Sequence, residues 1–190
     1  MTDEQKQGMK DMLVKLYAKV QEPVMFFDLE STGLEIVTDE IIQIYVCKYD
    51  GADLIEHEEK FSVYGTISEE ATGKHGFVKE DLEQYAKFEE RAQMIYDTYF
   101  GKDVILCGFN SNNFDIPFII EKMLECKIVA AASITKNKTI DVSVIYREMY
   151  PNTLEGIYKR YTGESLEGAH SADYDILATI TILDRLIDAD

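Results

Sequence analysis

The chain predicts an α/β protein, a mixed sheet flanked by helices, and three observations carry that prediction. Strand-like segments cluster early, at 24–29, 40–49 and 53–63, and short apolar strands then alternate with helical periodicity. "YDGA" at 49–52 is a hairpin signal, so the sheet opens as an antiparallel meander. No repeat, low-complexity tract or linker interrupts the 190 residues, a length suited to one core and to a single domain over 1–190.

Taken in order, Met9, Met12, Leu13, Leu16 and Val20 recur at helical spacing with lysines between them. They predict an amphipathic helix that packs on the body and ends near Glu22 and Pro23. VMFFDL (24–29) and EIIQIYVCKY (40–49) are rich in strand formers. The charged 53–63 strand suits a sheet edge, where Glu and Lys discourage further pairing. Helical pieces follow at 68–75 and 80–100, the second interrupted near Lys87. DVILCGFN (103–110) is a buried strand that runs into a loop, and 114–125 is a helix whose first turn tolerates Pro117. A short strand at 138–142, helices at 142–149 and 153–161 and a polar turn at 162–169 lead to a last helix at 171–187. There Ile176, Ile180, Leu183 and Ile187 share the face expected to point inward.

Thirty-six acidic against 19 basic side chains give a net charge of −17, which argues against a general nucleic-acid binder. It leaves room for an enzyme whose acidic centre is neutralised by divalent cations. Residues 1–22 hold four Lys and four acids, so the net charge lies downstream. Cys47, Cys107 and Cys126 sit in or near apolar runs without close pairing, which fits a reducing cytoplasmic setting rather than a disulfide scaffold. The polar N-terminal region has neither the pattern of a signal peptide nor that of a membrane span.

FFDLESTGL (26–34) ends an apolar run with Asp28 and Glu30, which share a strand face if the strand persists. Two such carboxylates repel in a partly dry site unless a cation serves both. CGFNSNNFDIPFII (107–120) places Asn110, Asn112, Asn113 and Asp115 in a loop between strand and helix, a usual site position in α/β proteins. Asp115 reads equally well as a helix N-terminal acid, and Asn110 as a turn residue. AHSADYD (169–175) adds His170 and Asp175, with Asp173 a competitor for the inward position and Ser171 an N-cap. His57 and His75 read as surface residues. Four carboxylates and one histidine, with no Cys/His tetrahedral set, suit Mg2+ or Mn2+ and two-metal phosphoryl transfer to water. A histidine near neutrality can take the water's proton.

FDLESTGL, GFNSNNFDIPFI and HSADYD together resemble the three motifs of the DEDDh branch of the DEDD exonucleases, which includes the proofreading exonucleases of bacterial DNA polymerase III. The resemblance covers 24–188, leaves 1–22 as an added helix, and selects Asp175 over Asp173. It implies a ribonuclease H-like fold with a five-stranded mixed sheet. It also implies that Asp28, Glu30, Asp115 and Asp175 hold two Mg2+ or Mn2+ ions, with His170 the general base. Ser31, Thr32, Gly33 and Leu34 would grip the terminal nucleotide, Leu34 as a wedge, with Asn110 and Phe114 beside them. Asp141 occupies a position where relatives often carry an Asp, without a catalytic assignment.

The expected reaction is release of nucleoside 5′-monophosphates from a DNA 3′ end, with single strands preferred because unstacking is easier there. Lys138, Arg147, Lys159 and Arg160 are candidate phosphate contacts, with helix-surface solubilisation the competing reading. RNA or short oligoribonucleotides are the nearest alternative substrates, since no residue distinguishes a 2′-hydroxyl. A non-catalytic module attached to a polymerase or repair partner through the first helix is a second alternative.

Overall fold

In this computed structural model, residues 2–150, 152–166 and 172–188 are described, in two compact units, 1–142 and 143–190. The first unit is built on a five-stranded mixed sheet of order β3-β2-β1-β4-β5, the arrangement the resemblance implies. Its strands are β1 (Val24–Ser31), β2 (Ile41–Tyr49), β3 (Leu54–Lys60), β4 (Ile105–Gly108) and β5 (Thr139–Asp141). β1 pairs antiparallel with β2, and β2 with β3; β1 and β5 flank β4 in parallel. The acidic third strand is therefore an edge, as its charge predicts.

Strand alternation divides β1 between two environments. Met25, Phe27 and Leu29 enter the main core with Ile44, Val46 and Leu106. Phe88, Ala92 and Ile95 of α4 (Phe88–Ile95) and Phe118, Ile119 and Met123 of α5 (Asp115–Glu125) cover that side. Phe26, Asp28 and Glu30 take the opposite face. Part of that face is covered by α1 (Asp3–Val20), whose Leu13 is buried while Leu16 and Val20 pack around Val24, Ile105 and Cys107. Met12 turns outward, 64% exposed, so the predicted stripe is narrower than its spacing suggests. A reciprocal Thr2/Gln5 capping box starts the helix.

Cys47 and Cys107 lie opposite Phe26 on its two neighbouring strands, and burial pushes both thiols up to about 11. The predicted 80–100 helix is divided into α3 (Lys79–Leu82), α4 and a π-helical turn at Tyr96–Phe100. Short α2 (Glu69–His75) precedes them, N-capped by Ser68. A 3-10 segment, Val129–Lys136, follows α5 where no element is predicted.

The second unit contains α6 (Val142–Met149, beginning at the boundary), α7 (Leu154–Thr162) and α8 (Ala172–Asp188). Within it α7 packs against α8. Among the described side chains of α8, Ala178 and Ile182 are buried, whereas Ile176, Ile180 and Leu183 are between 57% and 61% exposed, and that of Ile187 lies outside the described ones. The face expected inward is thus the exposed one. No described helix is long and apolar enough to cross a membrane.

Candidate active site

Asp28 and Glu30 stand side by side along β1, and a bulge in the β1–β2 ladder immediately after Glu30 ends regular pairing there. Across the sheet, Asp28 faces Tyr45 and then Glu58, while Glu30 faces Gln43 and then Lys60. Tyr45 donates its hydroxyl to Glu56 at 2.7 Å, and Gln43 donates to Glu58 at 2.7 Å. Both donors therefore turn toward β3.

Asp115 arrives from the N-terminus of α5. It is buried, and its Oδ1 accepts the Leu29 N–H at 3.1 Å, joining segments 86 residues apart. Burial, then the charge of Asp28, raises its carboxyl to about 6, a rise aided by Asp141 and opposed by the Leu29 and Asp115 N–H groups. Burial raises Asp28 as well. Glu30 is raised by burial and then by Asp28, with the neighbouring His75 and Lys74 acting in the opposite direction. Glu30 and Asp115 thus each feel Asp28 as a like charge, the condition a shared cation relieves. Among the described residues, no three Asp, Glu, His or Cys side chains are placed to hold a metal ion together.

The loop before Asp115 owes its shape to Asp141, whose two oxygens accept the Asn110 and Asn112 N–H groups at 2.9 and 3.0 Å. Asn110 adopts a left-handed φ of 60°, and its side-chain oxygen accepts from Asn113 at 3.0 Å, which is the turn role. Gly108 is needed at the strand's end: a Cβ there would meet Ser111 Cβ at 2.7 Å and Phe27 O at 3.2 Å.

Beside Glu30 opens a pocket of about 420 Å³, lined by Ser31, Gly33 and Leu34 on one side, Lys74 and His75 on another, and Phe114. Leu34 is 62% exposed on its rim, in position for a wedge. Thr32 differs from the expected grip residue. It is buried, donates its hydroxyl to Asp39 at 2.8 Å and accepts the Glu40 N–H at 2.9 Å, so its side chain shapes the loop. A Cβ on Gly33 would meet Asp39 Oδ2 at 2.5 Å, which explains that glycine.

His75 is not a plain surface residue. It is half-buried, donates Nε2–H to the Ser31 carbonyl at 3.2 Å and accepts the Phe77 N–H on Nδ1 at 3.1 Å. With both nitrogens engaged it is a wall of the pocket rather than a base. His57 is also half-buried, stacked on Tyr99 and bonded to Glu59 at 3.0 Å. Sequence offered little sign of either role, because the Ser31 and Tyr99 contacts that fix these rings are non-local.

Asp175 belongs to α8 of the second unit and is half-buried, its carbonyl accepting from Thr179. His170 lies outside the described residues, as does Ser171, and the side chain of Asp173 is not described. Of the candidate phosphate contacts, Lys138 is held by both Glu22 oxygens at 2.8 Å. Arg147 bonds Ser143 within its own helix, Arg160 stacks over Tyr150 at 5.1 Å, and Lys159 is exposed.

Residues 25–183 match the exonuclease family of the RNase T type. The chain is 28% identical to DNA polymerase III PolC-type of Pediococcus pentosaceus over 156 residues, 80% of this chain and 10% of that protein. Against the Bacillus subtilis PolC-type polymerase it is 28% identical over 179 residues, 88% of this chain and 12% of the other. It therefore spans about a tenth of the curated relatives it matches. Among solved structures, E. coli exonuclease I in complex with a dT13 oligonucleotide aligns with a TM-score of 0.60 at 17% identity, covering 88% of this chain and 41% of that one. A product-bound exonuclease I aligns with TM-score 0.60 at 16% identity, covering 87% and 43%. At that identity the likeness shows the fold, while the family match extends through all three motifs. The chain belongs to the exonuclease family, within its DEDDh 3′–5′ branch of ribonuclease H-like fold.

Proposed function

We propose that the chain works as one exonuclease domain, hydrolysing the last phosphodiester at the 3′ end of single-stranded or frayed DNA and releasing a nucleoside 5′-monophosphate. One observation carries the reading. Glu30 and Asp115 each sense Asp28 as a like charge, and Glu30 lines a pocket of nucleotide size bounded by Leu34, His75 and Phe114. The oligonucleotide bound by exonuclease I and the polymerase relatives support DNA as the substrate class.

The donor set fits hard divalent ions, because these side chains offer carboxylate oxygens and the cluster needs positive charge. Asp28, Glu30, Asp115 and Asp175 would hold two Mg2+ or Mn2+. When bound, such ions supply an acidified water and neutralise charge on the attacking and leaving oxygens. Leu34 and Phe114 hold the terminal base out of its stack, with Asn110 ordering the second-motif loop behind them. The Ser31–Gly33 backbone and the His75 wall fix the sugar end. His170 accepts the water's proton, worth about 10²–10⁴-fold in rate. The domain acts in the cytoplasm, by itself or recruited to a polymerase or repair assembly.

The test is a labelled panel of single-stranded DNA, RNA and a two-nucleotide RNA, with and without Mg2+, for wild type, Asp28→Ala and His170→Ala. Expected are Mg2+-dependent 5′-monophosphates from the DNA 3′ end, abolition in Asp28→Ala and a large loss in His170→Ala. A strong RNA preference would overturn the DNA assignment, and equal activity in all three proteins would overturn the site.

A further inference from the structure

Lys122 lies seven residues beyond Asp115 on α5, two helical turns away. It is buried, only 6% exposed, which is uncommon for lysine unless its ammonium is well partnered. Nζ donates to the Val37 carbonyl at 3.1 Å and to Glu125 Oε1 at 2.9 Å. It also lies 5.7 Å from the ring centroid of the fully buried Phe118. Phe118 in turn packs edge-on against Phe114, a lining residue of the pocket, at 5.3 Å.

Val37 belongs to the β1–β2 loop that carries Gly33 and Leu34. Internal bonds give that loop its shape: Asp39 accepts from Thr32 Oγ1 and from the Glu35 N–H, and the Glu35 carbonyl accepts from Thr38 and Asp39. These bonds fold the loop on itself, and Ile36 rests its bend against the main core without any polar tie. At the near end Ser68 N–H binds the Thr32 carbonyl, and at the outer bend the Lys122 ammonium binds the Val37 carbonyl. A helix surface pair with Glu125 would not need a lysine drawn inside to a carbonyl 85 residues away.

We propose that Lys122 is a positioning residue of the exonuclease site, its ammonium fixing the Leu34 side of the nucleotide pocket to the helix that supplies Phe114 and Asp115. This rests on the pocket receiving a 3′-terminal nucleotide. Losing the clamp widens the gap between Leu34 and Phe114, so the terminal base is held less firmly. The acids of β1 and α5 stay where they are. The signature is therefore a rise in KM rather than a fall in kcat.

The experiment compares wild type, Lys122→Met, Lys122→Arg and Glu125→Gln by amide hydrogen exchange and by kcat and KM on a single-stranded oligonucleotide. Lys122→Met keeps the apolar stem and removes the donor. Expected are at least tenfold faster exchange across 33–39 with β1 and α5 still protected, and about a tenfold higher KM with kcat within about threefold. Lys122→Arg restores most of both readouts, and Glu125→Gln moves neither. Unchanged exchange at 33–39, exchange rising evenly through the sheet, a loss confined to kcat, or Glu125→Gln matching Lys122→Met would overturn the proposal. If Lys122→Met does not fold, Lys122→Gln takes its place, and faster exchange confined to 33–39 supports the clamp while its absence overturns it. An inactive wild type would defeat the exonuclease reading while the exchange arm still decides whether the clamp exists.

Discussion

Among the acids of the site, Asp115 is the one most altered by its surroundings. Its carboxyl titrates near 6 in the folded chain against 3.8 ordinarily, so between those values the folded state binds the extra proton. Without metal, stability is therefore highest at the acid side of this window and declines as pH rises through about 6, by about 3 kcal/mol in all. Asp115→Asn keeps an oxygen for the Leu29 N–H and carries no charge. Its metal-free melting temperature should exceed that of wild type by about 6–12 °C at pH 7 and nearly match it at pH 4, measured by calorimetry in chelator. Excess Mg2+ should reverse the order at pH 7 by stabilising only the wild type. The acidic members of the site were legible in sequence because carboxylates after an apolar strand and before an apolar helix are unusual. His75 was not, since its bond to the Ser31 carbonyl spans 44 residues and leaves no local pattern.

Among the elements, the segments readable from sequence are those whose own periodicity decides them. β1, β2 and α5 carry strong apolar patterns, and each falls within a residue or two of its expected span. In the 80–100 stretch the break near Lys87 was legible and falls where α4 begins, whereas the π-helical turn at Tyr96–Phe100 was not, because it follows from burying Tyr99 and Phe100 in the core. Residues 129–136 form a 3-10 segment whose Ala131 and Ile134 simply fill the core beside α5, a tertiary demand without a propensity signal. β5 does more than close the sheet, since its last residue, Asp141, holds two amides of the loop leading to Asp115. Asp141→Ala should lose about 2–3 kcal/mol in denaturant unfolding, with Asp141→Asn intermediate because one acceptor remains. Activity should fall in the same order as Asp115 loses its seat.

For the whole molecule the dominant quantity is the charge of −17. A basic nuclease loses affinity steeply as salt rises, because each phosphate contact releases counterions. Here the long-range field repels the substrate, and screening weakens that repulsion. We therefore expect kcat/KM on short oligonucleotides to rise between about 10 and 100 mM salt at fixed free Mg2+, with a Debye length of about 30 Å shrinking to about 10 Å. Extending the substrate well beyond the terminal nucleotides should add little, and steady-state rates over a length series would show it. A steep loss with salt would instead indicate an extensive phosphate track. The thiols flanking Phe26 have a separate consequence. With Cys47 and Cys107 both pushed up to about 11, almost none of either sulfur is ionised at neutral pH. Peroxide and alkylating reagents attack the ionised form, so the heart of the sheet offers them next to nothing to react with, and the fold can outlast an oxidising episode that would inactivate a thiol-dependent neighbour.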